Sequence, residues 1–336
     1  MDWRNTVLVT VLGLTLGCLY FIAIDLQAPT YSFTQEQNVV GGTAGSPYRY
    51  RVLVPFVLEG LSHVFSFLGA PQTAYLGASL VYDCLALLFQ FLMLYALFRQ
   101  FFSPLQSLLG VSFVSGVTVL TLAYFTYQPW SILEVALFAL GFLLAYRGQW
   151  VWVGVTVVLA SLNRETGVFL PLALFLASLQ DLRPLGMTTL RRAAHRRETY
   201  LSFALVVMSA VIFGGLRLVR GSADPVDELG NVIVRNIQRN NVIAAASAIP
   251  LVLGFGWMYA ALGFRRAPTF LRGVARVLPF YLIAFAIWGW WREVRILTSL
   301  YPVLVPLVLV YCCDSSGRRR ALLTALHLRR APRRKA

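Results

Sequence analysis

The stretch VWVGVTVVLASLNRETGVFLPLALFLASLQ, residues 151–180, decides how this chain reads. Two apolar runs flank a four-residue break, Asn163-Arg164-Glu165-Thr166, and no other charged side chain occurs between Val151 and Gln180. A full bilayer crossing takes about 20 residues. These runs are shorter, so they read as a tight helical hairpin or as a pair of broken helices. A charge at such a break must be paired or hydrated. Arg164 and Glu165 are expected to pair with each other, with Asn163 or Thr166 capping the next helix.

The rest of the chain repeats this pattern. Of 336 residues, 58% are hydrophobic and 13% charged, with a mean hydropathy of +0.69. A soluble domain carries about twice that charge. The expected fold is all-α: a polytopic transmembrane bundle over residues 1–317, followed by a basic tail at 318–336. No alternation of ten-residue strands suggests a barrel. The formal net charge is +15, yet its placement argues against nucleic acid as a partner. Eight of the 29 basic residues fall in the last 19 positions, and most others lie in short loops between apolar runs. That is the pattern of a cytoplasmic membrane face beside anionic lipid. Cys18, Cys84, Cys312 and Cys313 lack metal-ligand spacing and read as small apolar residues. No small-residue cleavage signal precedes Asp25, so the first run reads as a retained span.

Ten spans are expected, at about 6–25, 73–98, 105–124, 130–146, 149–163, 166–180, 200–219, 240–263, 276–291 and 296–313. With both termini cytoplasmic, one face carries 20 basic residues and the other nine, as the positive-inside bias requires. The protein is thus placed in a plasma or bacterial inner membrane. The external face then holds 26–72, 125–129, the 163–165 turn, 220–239 and 292–295. Within the first external loop, the segment from Arg51 onward reads as a helix lying at the interface.

Three polar clusters share this external side: Tyr48-Arg49-Tyr50-Arg51, Asn163 to Thr166, and Arg292-Glu293-Val294-Arg295. Ionisable groups at a membrane boundary are costly to keep, so they are expected to converge with Asp25 on one cavity. Their arginines favour an anionic ligand such as a phosphate. If extended, Arg49 and Arg51 share a face; in a helix they splay. Arg292 and Arg295 lie three apart, on one helical face, with Glu293 able to orient one of them. Asp83 and Glu134 interrupt apolar runs, either lining the same cavity or bonding between helices. The three histidines do not cluster, and no phosphate-loop, dinucleotide or nucleophile-elbow motif occurs.

The acid after the first span (Asp25), the long first external loop, the Tyr-Arg-Tyr-Arg-Val-Leu-Val-Pro stretch at 48–55 and the Asn-Arg-Glu-Thr turn together resemble the GT-C superfamily of polytopic glycosyltransferases. The resemblance implies transfer of a sugar from a polyprenyl-phosphate donor on the extracytoplasmic side. It implies Asp25 as catalytic base or metal-associated carboxylate, with Glu165 as a second catalytic candidate. Asn163, Glu293 and the arginines at 49, 51, 164, 292 and 295 become candidates for the substrate and its lipid phosphate. A divalent metal is a possible cofactor; membrane lipids and membrane proteins are possible partners. The chain departs from the family in one respect: Asp25 has no adjacent acid. Two rival readings use the same residues. One is a transporter or flippase for an anionic lipid-linked substrate; the other is a non-catalytic subunit of a membrane complex.

Overall fold

A computed structural model describes residues 3–121, 129–179, 197–221, 256–289, 291 and 294–313, with isolated positions between 234 and 254. Among these residues every regular element is helical. The helices α1 (Trp3–Ile24), α2 (Pro29–Val40), α3 (Leu53–Val64), α4 (Pro71–Phe98), α5 (Pro104–Thr121) and α6 (Trp130–Tyr146) come first. Then follow α7 (Trp150–Asn163), α8 (Phe169–Ser178), α9 (Arg197–Arg220), α10 (Gly256–Phe264), α11 (Thr269–Val274) and α12 (Leu278–Trp288). A last helix, α13, covers Arg295–Cys313 and opens with a 3-10 turn.

Proline sets several of these starts. Pro29, Pro71 and Pro104 each occupy the first position of a helix, where the missing N–H has no intrahelical partner to lose. Five segments are long and apolar enough to cross a membrane: α1, α4, α9, the α11–α12 unit and α13. Five more are apolar but shorter, among them α7 and the Glu165–Ser178 segment. Most helices begin and end near the expected positions, whereas only five of the ten expected spans are long enough to cross a membrane among the described residues. The eighth expected span, 240–263, is described continuously only from Gly256.

Polarity runs opposite to that of a water-soluble fold. Val7, Leu8, Val11 and Leu14 of α1 and Phe203, Val207 and Val211 of α9 are exposed, whereas Asp83, Gln90, Glu134 and Arg164 are buried. Such an exterior fits lipid as the solvent. α4 forms the centre, packing most extensively against α1 and then α6, with α3 and α5 also on it.

The chain passes repeatedly between two ends. At one lie Asp25, Arg51, Trp130, Asn163, Gly221 and Arg295, tied to one another by the contacts described below. At the other, Phe101, Tyr146 and Phe270 form a triangle of rings with centroids 4.9–6.2 Å apart, and Arg266 lies over Tyr311. The segment after Arg51 forms α3, 12 residues long, too short to cross a bilayer. It buries Val54, Pro55 and Leu58 while exposing Phe56 and Val57.

Candidate functional site

The site begins with two glycines. Gly13 and Gly17, one turn apart on α1, face α4. A Cβ on Gly13 would stand 2.7 Å from the Leu88 Cα, and one on Gly17 would overlap the backbone of Cys84. The two helices therefore touch backbone to backbone, as small residues four apart permit in membranes. The contact sets the Cys18 and Cys84 sulfurs 3.7 Å apart. It also brings the end of α1 against α4.

There Asp25 and Asp83, 4% and 1% exposed, lie within hydrogen-bonding reach of each other. The second acid beside Asp25 comes from another helix and not from its own stretch of sequence. The Tyr75 hydroxyl lies 3.5 Å from Asp25 Oδ1, and the Tyr82 hydroxyl donates to the Pro129 carbonyl at 2.9 Å. Tyr20, Asp25, Tyr75, Ser79, Tyr82 and Asp83 line a narrow crevice. Arg295 Nη1 reaches the Tyr20 hydroxyl at 3.3 Å. Two facing carboxyls away from water retain a proton between them.

A third acid adjoins this pair. Glu36 of α2 is fully buried, and neither carboxyl oxygen has a hydrogen-bond partner among the described residues. Burial, then the charges of Glu59 and Asp25, push its pKa up to about 9. Among the described residues no three His, Cys, Asp or Glu side chains gather as a metal cage would require.

A second polar region sits beside the first, across Pro129 and Trp130. Arg164 Nη1 lies 3.3 Å from Glu134 Oε2 and 3.2 Å from the Ser131 hydroxyl. Thr166 donates to the other Glu134 oxygen. Asn163 Nδ2 donates to the Trp130 carbonyl at 2.9 Å. Glu165 turns away and meets Arg51, with Nη2–Oε2 and Nε–Oε2 each 3.1 Å. The Arg51 guanidinium lies over both the Tyr48 and Trp130 rings, 5.0 Å from each centroid, and the two rings pack on each other at 5.8 Å. The expected Arg164–Glu165 pair is therefore replaced by two longer-range pairs. Neither Asn163 nor Thr166 caps a helix. The cause is the backbone: Arg164 is extended, with φ −162° and ψ 154°, so consecutive side chains point opposite ways. Gly167 allows the tight return, because a Cβ there would overlap the Ala160 carbonyl.

The candidates separate accordingly. Asp25, Arg51, Asn163, Arg164, Glu165 and Arg295 assemble at one end of the bundle. Arg49 and Arg51 splay from the 3-10 turn Tyr48–Tyr50, Arg49 Nε donating instead to the Ala44 carbonyl at 3.1 Å. Arg292, Glu293, the 222–233 segment and the basic tail lie outside the described residues. Glu36 and the tyrosines at 20, 75 and 82 went unread as site residues, since an isolated acid or tyrosine in a run carries no periodic signal. The Gly13-x-x-x-Gly17 spacing was the available clue to the α1–α4 contact. No protein-family model, curated protein or solved structure matches this chain. A functional reading must therefore come from the geometry.

Proposed function

We propose that the protein is an integral membrane glycosyltransferase of GT-C type, transferring a sugar from a polyprenyl-phosphate donor at the polar end of the bundle. The observation that carries this reading is the facing pair Asp25–Asp83, drawn from two helices at the head of one crevice. The pair holds a proton with one carboxylate free to accept another. An acceptor hydroxyl gives its proton to that carboxylate as its oxygen bonds to the anomeric carbon. The bond from that carbon to the donor phosphate breaks, and its electron pair stays on phosphate oxygen. In this reading Glu165 serves as partner to Arg51 rather than as a catalyst, and Arg164 with Glu134 frames the site. The cytoplasmic termini and the ten-span topology belong to the same proposal.

Two observations favour a non-catalytic subunit instead: Arg51 and Arg164 already hold carboxylates, and the crevice is too narrow for a sugar unless side chains move aside. The test is transfer of a radiolabelled sugar from polyprenyl phosphate by purified wild type, Asp25→Asn and Asp83→Asn in lipid. Transfer by wild type and a loss of roughly 100-fold in either variant is the expected result. Absence of transfer with every lipid-linked sugar, together with an Asp25→Asn chain that behaves normally in cells, would leave the subunit reading standing.

A further inference from the structure

We infer that Glu36, Glu59 and His63 form a proton path from the Asp25–Asp83 pair to the surface of the bundle. The path runs through α2 and α3, outside the long spans. On its inner side Phe33 of α2 packs on Tyr75 with ring centroids 5.7 Å apart, and the Tyr75 hydroxyl is the group 3.5 Å from Asp25 Oδ1. Ser32, Glu36 and Val39 make the buried face of α2. The Glu36 carboxyl thus lies behind Asp25, near enough for the two charges to act on each other. On the outer side Gln37, the next residue, turns toward α3, and its Nε2 donates to Glu59 Oε2 at 3.1 Å. The other Glu59 oxygen lies 3.4 Å from His63 Nε2, one turn along α3. The loop that carries α2 is anchored to the end of α9. Arg220 Nη1 donates to the Val39 carbonyl at 2.6 Å, and the Tyr50 hydroxyl donates to the Gly221 carbonyl at 2.9 Å. Gly221 takes a positive φ of 82° there, which an L side chain would resist.

Exposure rises step by step along this line. Glu36 is 0% exposed, and the Glu59 and His63 side chains are 29% and 78% exposed. A purely structural role does not explain Glu36. Neither of its oxygens has a hydrogen-bond partner among the described residues, so the carboxyl ties no helices together. A buried polar group without a partner costs stability, and methionine would fill the same space at less cost. Burial, the largest cause of its pKa of about 9, keeps Glu36 protonated at neutral pH. It therefore stands as a proton donor between two acceptors. The steps balance. After the acid pair takes a proton from an acceptor hydroxyl, it holds two. Glu36 gives its own proton to the Glu59 carboxylate and takes one from Asp25. Glu59 passes its proton to His63 Nε2, and the imidazolium releases it to water. Each relay group returns to its starting state, and the pair is left with one proton.

The path rests on the transfer reading for the source of its protons, but its test needs no sugar donor. The full chain in lipid is moved from H2O to D2O at neutral pH, and the protonated-carboxyl stretch is followed by infrared spectroscopy. The band of the acid pair is the one lost in Asp25→Asn/Asp83→Asn. In wild type it should shift as its proton exchanges. Glu36→Gln should keep the band and slow its exchange by about 100-fold, the weight of a positioned proton-transfer group. Glu59→Gln should slow it by a smaller factor and His63→Gln by the least, since Glu59 is itself partly in water. Glu198→Gln, in the first turn of α9 at its other end, should exchange as wild type. Exchange at the wild-type rate in Glu36→Gln, equal slowing in Glu198→Gln, or absence of the band from wild type overturns the path. Exchange that depends on Glu36 in a chain that transfers no sugar keeps the path and removes the reaction. Exchange indifferent to Glu36 in a chain that does transfer sugar removes the path alone. If Glu36→Gln does not fold, Glu59→Gln decides.

Discussion

Two buried polar regions lie side by side at one end of this bundle, and their charges are balanced in opposite ways. Around Trp130 every buried arginine meets a glutamate: Arg51 with Glu165, Arg164 with Glu134. Around Asp25 acid meets acid, with Asp83 in reach and the unpartnered Glu36 behind. Matched pairs hold helices together and leave little charge for a ligand. A mismatched group is kept at a cost to stability, and that cost marks where function is to be sought. Pro129 lines the mismatched side while the Trp130 carbonyl and ring serve the matched side, so the start of α6 is the seam between them.

The comparison breaks most severely if one member of a matched pair is removed. Arg164→Ala leaves Glu134 charged at 0% exposure, a loss of about 3–5 kcal/mol. The protein should fail to fold, read as loss of the monodisperse peak in detergent. The double variant Arg164→Met/Glu134→Leu removes both charges and should restore folding. Recovery of neither fold nor monodispersity would show that the pair has a role beyond mutual neutralisation.

On the mismatched side the same kind of change should spare the fold. Asp25→Asn removes a charge that is already disfavoured by burial. Thermal unfolding in detergent should be unchanged or improved, while sugar transfer falls roughly 100-fold. A variant that unfolds would place Asp25 among the matched, structural residues instead.

The acid pair also depends on how closely α1 and α4 approach. Gly17→Val should force the helices apart at a cost of about 1–3 kcal/mol. In wild type, added copper phenanthroline should crosslink Cys18 to Cys84, whose sulfurs are 3.7 Å apart. The crosslink should be lost in Gly17→Val, and transfer with it. A crosslink of equal yield would mean that the glycines do not set the approach.

The smallest effect sharpens the contrast through pH. Glu36 titrates near 4.5 when exposed and about 9 in the folded chain. The folded state therefore binds this proton more tightly, and stability is full below about pH 4.5 and falls as pH rises toward 9. Glu36→Gln should flatten that decline, measured as melting temperature against pH. A slope unaltered by the substitution would assign the pH dependence to another group.

Much of the architecture was legible in the residues. Apolar runs bounded by proline and arginine marked the helices, because in lipid every backbone group must be satisfied within its own segment. Clustering was legible in part: the charged breaks at 49–51 and 163–166 lie at one end with Asp25, but Arg51, Arg164 and Glu165 form a neighbouring region and do not line the Asp25 crevice as expected. Partnerships were not. Arg164 and Glu165 are adjacent in sequence, so proximity argued for a pair. The extended backbone at Arg164 instead sends them to Glu134 and Arg51, on other segments.

The same limit applies to the acids. Composition and hydropathy determined that this chain forms an all-helical bundle with an apolar exterior, since those properties are summed over residues and need no knowledge of neighbours. Tertiary structure alone decided that Asp25 and Asp83 share a crevice, that Glu36 is buried with no hydrogen-bond partner among the described residues, and that Arg164 meets Glu134 while Arg51 meets Glu165. Each of these depends on which helix faces meet, and charge interactions fall off over a few ångströms. A backbone contact at Gly13 and Gly17 or a turn at Gly221 sets such distances, and neither is expressed in the periodicity of the runs it joins.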